Sequence, residues 1–293
     1  MGNQVTATIE ARDLEAIDKV IYQAPQEELV GRQVFNIKTD VHEGAETFGY
    51  YVMSRSGSAK ILANGADDLP LVDTDLARYH QPIFSVADGI KFSVQELRQA
   101  SMAGQPVDST KAEIARRAIA EKENSMIFVG DKKVGLKGVA NADGIQVVNA
   151  PKTFATMTSE EIVETIRKAR SKITTIPGMR TSRLKLLVAS QPYEELDRRY
   201  GEYDARSIKT IIQGNGWFDQ IIPVYDLDGA GESGSDSLII MDTAPSTCEI
   251  LLPMDITRFE EEWAYPNWKV PFEERCGGAL IRRPYGIVRV DGI

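Results

Sequence analysis

Residues 108–141 read DSTKAEIARRAIAEKENSMIFVGDKKVGLKGVAN, and this stretch decides the fold. Pro106 and Asp108 supply a breaker and a cap, and Thr110 with Glu113 has capping-box spacing, so a helix is predicted from about residue 109. Ile114, Ala115, Ala118, Ile119, Lys122, Met126 and Val129 recur at intervals of three and four, a narrow apolar stripe running for about 20 residues. Gly130 is the left-handed stop. Opposite the stripe stand Glu113, Arg116, Arg117, Glu121, Lys122 and Glu123, a mixed-sign face that another subunit could meet but a core would not bury. A helix this long, with a thin seam and a charged back, is a strut rather than the wall of an active site.

Length and composition narrow the classes. With 293 residues and 42% hydrophobic content the chain can build one large domain or two smaller ones. Its formal net charge of -9 argues against a free-standing nucleic-acid binder, because phosphate binding needs clustered Lys and Arg to release counterions. A protein that merely encloses DNA needs no such excess. The opening MGNQVTATIEARD lacks a basic start and an apolar run, so no standard secretion signal is expected, and no stretch is apolar enough to span a bilayer. Cys248 and Cys276 form no CxxC pattern and are expected to be buried free thiols.

Working outward from the strut, residues 1 to 30 are mostly polar, with Leu14, Ile17 and Ile21 on one face before Pro25, and read as an arm without a core. Phe35, Ile37, Thr39 and Val41 then alternate with polar residues, and strand character continues over 50–54 and 59–62 around Ser56-Gly57-Ser58. A polar stretch, ANGADDLPLVDTD, separates these from strand-like residues up to Phe92. Residues 36 to 85 offer little apolar mass on either face, which predicts a long hairpin packed on a neighbouring chain, since an isolated ribbon is marginal in water. Ser93 with Glu96 caps a short helix, 93–102. Beyond the strut, Thr158 with Glu161 opens a second strong helix whose Ile162, Ile166, Ala169 and Ile173 share a face, with acids early and bases late as the helix dipole prefers. Strand candidates 184–189, 221–225, 238–241 and 248–252 alternate with helix candidates 192–200 and 205–212, a mixed sheet covered by helices. Residues 268–290 return to strand periodicity and are expected to pair with the early strands beside the strut.

The apparent chemical motifs weaken on inspection. GDKKVGLKG lacks the Gly-Lys-Ser/Thr of a nucleotide loop. Asp226-Leu227-Asp228-Gly229-Ala230-Gly231 begins like a calcium loop, but Ala230 replaces one ligand and Ser237 stands where a bidentate Glu is required. His42 and His80 have no partners at metal or triad spacing. The run Glu260-Glu261-Glu262 is read as solvated charge. Trp263, Tyr265 and Trp268 around Pro266 suit either a core anchor or an interface hot spot. No catalytic, cofactor or metal residue is therefore assigned, and a hydrolase using paired carboxylates is the outlying alternative.

The helix AEIARRAIAEKENSMIFVG closed by GDKKVGLKGVAN, followed at the C-terminus by WKVPFEERCGGALIRRPYGIVRVDGI, resembles the spine helix, turn and closing strands of HK97-type tailed-phage major capsid proteins. The resemblance implies an α+β fold: N-terminal arm (1–32), extended loop hairpin with flanking strands (33–92), peripheral domain with the spine helix (93–150 and 262–293) and axial domain (151–261). It implies pentamers and hexamers of identical subunits forming an icosahedral shell around double-stranded DNA bound without sequence specificity. Scaffolding, portal and decoration proteins are the further implied partners, with a separate scaffold or none expected here. The implied location is the virion capsid, assembled in the bacterial host cytoplasm, with no membrane. Interface candidates are Tyr50, Tyr51, Arg55, Lys60, Glu113, Arg116, Arg117, Glu121, Glu123, Arg282 and Arg283, with Arg282 and Arg283 read as an intersubunit salt bridge. Some relatives cross-link a Lys to an Asn, but Lys60 has no evident Asn partner with a catalytic Glu, so that chemistry is not carried over. An encapsulin-like compartment enclosing a cargo enzyme shares the fold and is the runner-up.

Overall fold

The computed structural model of the protein describes residues 26, 28–56, 73–103, 107–180 and 183–293 and has a mixed α+β fold. The arm features at Leu14, Ile17, Ile21 and Pro25, the turn at 57–58, Lys60, and the Pro106 breaker lie outside the described residues, as do the side chains of Asp108 and Thr110.

The spine helix spans Val107–Phe128, 22 residues, or about 33 Å at 1.5 Å per residue. It starts ahead of the predicted residue 109 and ends as expected, with Gly130 at φ +80. Its buried face differs in phase from the predicted stripe. Ala115, Ile119, Met126, Ile127 and Phe128 are buried, whereas Ile114 is 62% exposed. Glu123, expected on the charged back, is only 2% exposed. The reason is geometric: Ile119, Glu123 and Met126 stand at i, i+4 and i+7 and share one face.

That face lies on a long antiparallel ladder of Phe84–Ser93 with Asn267–Cys276, which the strands Met254–Arg258 and Glu262–Ala264 extend. Phe92, Val270 and Phe272 meet Ala115 and Ile119 there. The pairing of a late strand with an early one matches the sequence expectation. The helix Val94–Ala103 starts from the predicted capping box: Glu96 N donates to Ser93 Oγ at 3.0 Å, and Ser93 N donates to Glu96 Oε2 at 2.9 Å.

A five-stranded sheet runs in the order Gln146–Asn149, Ile287–Asp291, Ser237–Asp242, Leu184–Val188, Gln220–Pro223. Its central strands are buried on both faces, so their side chains alternate between two cores rather than between core and water. Leu186, Val188, Leu238, Ile240, Val288 and Val290 face Ile162, Ile166, Ala169 and Ile173 of the helix Ser159–Thr174. Leu187, Ile239, Met241 and Ile287 face the end of the spine helix, with Phe128, Phe35 and Cys248. The strut is thus bolted to the sheet through Phe128.

Two expectations of strand order are corrected. Ile287–Asp291 joins the five-stranded sheet, antiparallel to Ser237–Asp242, instead of the strands beside the strut. Cys248–Leu251 leaves that sheet and pairs with Asn36–Lys38 and Ala279–Ile281. A short apolar strand carries no partner label of its own, and the strand on either side decides. The helices expected over 192–200 and 205–212 are Ser190–Glu195 and Ile208–Gly214.

The helix Ser159–Thr174 has the complete reciprocal capping box of Thr158 and Glu161. Thr158→Ala removes the acceptor for Glu161 N, and we expect a loss of about 1 kcal/mol in the unfolding free energy, read from a urea midpoint shift at constant slope. Cys248 and Cys276 are buried free thiols; burial pushes both pKa values up, that of Cys276 to about 12.

Candidate assembly surfaces

The extended hairpin is a two-stranded ribbon, Thr47–Ser56 against Asp73–Pro82, paired from Thr47 with Pro82 out to Ser56 with Asp73. Ten residues of strand reach about 34 Å. Its second strand overlaps the predicted polar stretch ANGADDLPLVDTD only at residues 73–75 and runs on to Pro82, and the predicted turn at 57–58 lies outside the described residues. Beyond its root the described part of the ribbon buries neither face within its own chain, so the alternation that betrays a strand is missing there.

The root of the ribbon is anchored. Phe48 and Tyr50 pack on a small core of Ile83, Leu251 and Leu280, and Tyr50 Oη donates to the Ile281 carbonyl at 3.1 Å. Phe48, Tyr50 and Tyr79 stack with centroid separations of 6.5 and 5.7 Å. Burial raises the pKa of Tyr50. Tyr50, proposed as an interface residue, is therefore a foundation of the hairpin within one chain. Beyond this root the ribbon stands clear: Tyr51 and Leu76 are each 65% exposed, with Met53 and Tyr79 about half exposed. Arg78 lies over the Tyr51 ring at 5.8 Å. Arg55 pairs with Thr74 across the ribbon.

On the spine helix, Glu113 is exposed, and Arg117 donates to Glu121 at 2.7 Å, an i,i+4 pair. Arg116 lies 5.6 Å from the Phe272 ring centroid. Glu113, Arg117 and Glu121 keep the mixed-sign outer strip, whereas buried Glu123 cannot meet another subunit. Arg282, read as an intersubunit ion pair, is engaged within the chain: it lies 2.7 Å from Glu249 and also donates to the Pro245 carbonyl. Arg283 donates to Ser246 Oγ at 3.3 Å. Strands Cys248–Leu251 and Ala279–Ile281 are neighbours, which places Glu249 beside Arg282.

One surface was left open in the sequence. Trp263 and Trp268 face each other across a strand pair with ring centroids 4.6 Å apart, and Tyr265 stands edge-on to Trp263 at 6.1 Å. Tyr265 is 85% exposed. Trp268 packs on the core of Phe92, Ala115, Ile119 and Val270, while Trp263 and Tyr265 stand out from it as an exposed aromatic knob, so the cluster is anchored at one end and open at the other. The acidic loop at 226–231 is structural: Asp226 accepts from Asn124, and Asp228 accepts from the Ser190 amide at 2.7 Å. Among the described residues, no group of three or more His, Cys, Asp or Glu is placed to hold a metal, and no helix is long and apolar enough to cross a membrane.

A strut beneath a long sheet, a sheet-and-helix unit at its end and an outreaching ribbon define the class: this is the HK97-type capsid fold. The capsid of Myoviridae phage XM1 superimposes with a TM-score of 0.85 over 98% of this chain and 100% of that one, at 13% identity. A virus-like particle from Pyrococcus furiosus gives 0.62 over 88% of this chain and 91% of that one, at 14% identity. The family model described as Major capsid protein matches residues 57–293, and the chain belongs to that family. In sequence it is also 24% identical over 198 residues to a type 1 encapsulin shell protein of Myxococcus xanthus, 67% of each chain.

Proposed function

We propose that this chain is the structural subunit of an icosahedral phage head, in which pentamers and hexamers of identical copies enclose packaged double-stranded DNA. Membership of the major capsid protein family supports this, and the observation that carries it is the ribbon beyond Tyr50, whose Tyr51, Met53 and Leu76 are large apolar side chains left about half or more exposed. A closed shell repeats a few contacts between unlike patches, so modest interfaces sum cooperatively and no single contact need be strong. In this arrangement the unit around the five-stranded sheet serves as the axial domain and meets its copies at the five-fold and six-fold axes. The strut and long sheet form the peripheral domain, and Glu113, Arg117 and Glu121 give it a charged outer face. With net charge -9 the chain contains DNA without reading it. Assembly takes place in the host cytoplasm, and portal and decoration proteins complete the head.

The similarity to an encapsulin shell protein favours a second reading, a compartment loaded with a cargo enzyme. Isolation of particles from the native source separates the two. A phage head yields nuclease-protected double-stranded DNA of defined length, beside portal, terminase and protease genes. A compartment yields a co-purifying enzyme and no such DNA, and that outcome would replace the first reading.

A further inference from the structure

Residues 167–185 read RKARSKITTIPGMRTSRLK and hold seven Lys and Arg with no Asp or Glu, in a chain whose net charge is -9. Charge of one sign gathered so densely against the overall sign of the chain makes a local positive field. The structure sorts these cations. Arg167 is engaged by Glu164, donating to its two carboxylate oxygens at 2.6 and 2.7 Å. Arg170 lies over the Trp217 ring at 5.8 Å. Lys172, Arg180 and Arg183 are exposed and, among the described residues, their side chains form no ion pair or hydrogen bond.

The backbone keeps these three close to one another. Past the helix Ser159–Thr174 the Ile176 amide donates to the Ile173 carbonyl at 3.0 Å, and the Met179 amide to the Ile176 carbonyl at 3.1 Å. Met179 is buried, so Arg180 emerges at the C-terminal end of that helix. Arg183 then lies on the wall of an open cleft of about 660 Å³, just ahead of the strand Leu184–Val188. Lys185 and the exposed Arg283 line the same cleft. The Lys185 ammonium donates to the Gln33 and Val34 carbonyls at 3.3 and 2.9 Å, which leaves one of its three donors for a ligand. Of the two acids in the cleft, Asp242 is buried and accepts from the Ala244 amide and Thr247 Oγ1, and Asp219 is exposed. The cations that face water therefore exceed the carboxylates that do.

We propose that this basic strip, from Lys172 through Arg180 and Arg183 into the cleft of Lys185 and Arg283, binds the phosphate backbone of double-stranded DNA without reading its sequence. The proposal rests on the reading of the chain as a shell around DNA and names the surface that meets it. A stable contact with another protein needs an apolar centre, whereas most of the surface lining this cleft is polar. Cations spread along a helix end, a turn and a cleft wall suit a polymer of repeating charge, and each phosphate neutralised releases condensed counterions.

The test is fluorescence anisotropy of a labelled duplex of about 20 base pairs with the full-length chain, shown by sedimentation to be unassembled, over a series of salt concentrations. Neutralisation of the exposed cations in Lys172→Gln/Arg180→Gln/Arg183→Gln is expected to weaken binding at least about 100-fold at about 50 mM salt and to flatten the salt slope by about 3. Lys132→Gln/Lys133→Gln/Lys137→Gln, which removes the same charge from the turn after the spine helix, is expected to change affinity less than about threefold. Equal losses in the two variants, or no binding by the parent, overturn the proposal. Unchanged DNA binding with loss of particle formation in the first variant assigns the strip to an acidic face of another copy and overturns it as well. Should the chain not stay unassembled, acetylation of Lys168 and Lys172, read by mass spectrometry in DNA-filled and emptied particles, carries the test: at least about threefold protection by DNA is expected, and equal reactivity overturns the strip. Because binding is read on the free chain, its failure strikes this surface alone and leaves the nuclease-protection test of the shell reading untouched.

Discussion

Excision of residues 51–78, with Tyr50 and Tyr79 rejoined through a two-residue Asn-Gly turn, is expected to lower the yield of assembled particles at least about 100-fold while leaving the fold intact. Tyr50 and Tyr79 are directly opposed in the ribbon, so a tight turn can close the shortened hairpin there. Phe48 and Tyr50 remain on their small core, and neither large core includes any of the described residues of the excised segment. The loss falls on the exposed ribbon. Tyr51, Val52, Met53 and Leu76 are large apolar side chains, and burial of each against another copy is worth about 1 to 3 kcal/mol before the cost of association is subtracted. A deficit of about 2.8 kcal/mol per contact already corresponds to 100-fold, and every copy in a shell repeats it. Gradient sedimentation gives the particle yield, and circular dichroism with a thermal melt confirms that the body is folded. Undiminished particle formation would remove the ribbon from the assembly contacts.

Gly138→Ala is expected to cost more than about 3 kcal/mol and to leave little soluble protein, because it drives a methyl group into backbone. A Cβ at Gly138 would lie 2.4 Å from both the carbonyl carbon and oxygen of Phe128 and 2.6 Å from the Gly130 amide nitrogen. None of these atoms can swing aside, since Phe128 is the last residue of the spine helix and is fully buried. The matching constraint lies across the turn, where Gly130 combines a φ of +80 with a built Cβ only 2.3 Å from the Leu136 carbonyl oxygen. Gly135 is the internal control. It has φ +72 but nothing within 4 Å of a built Cβ, so Gly135→Ala carries only the left-handed backbone cost of about 1 kcal/mol. Urea unfolding of the two variants side by side, or comparison of soluble yield where Gly138→Ala does not fold, measures the contrast. Equal stabilities would show that the turn is free to move away from the helix end.

These two predictions fall on opposite sides of what could be read from sequence. The turn was legible because its glycines follow a long periodic helix, and the capping boxes at Ser93 and Thr158 were legible because capping is written in side chains a few residues apart. The buried face of Ser159–Thr174 was legible in full because Ile162, Ile166, Ala169 and Ile173 are apolar against a polar background. What depends on distant partners was not. Beyond the root of the ribbon, Asp73–Pro82 shows no alternation because neither of its faces is buried in its own chain there. Glu123 looks like any surface acid until Arg32, 91 residues away, is folded against it. Arg282 finds Glu249 only because two short strands pair, which no local pattern announces. The apolar ribbon that we propose meets another copy was visible as a shortage of core, while separating the anchored Tyr50 from the exposed Tyr51 needed the structure.

An electron cryo-microscopy reconstruction of particles formed by the purified full-length chain tests the central claim most directly. Closed shells are expected, with Tyr51, Met53 and Leu76 of each ribbon covered by a neighbouring copy. A chain that stays monomeric under all assembly conditions, or shells in which those side chains face solvent, would contradict it.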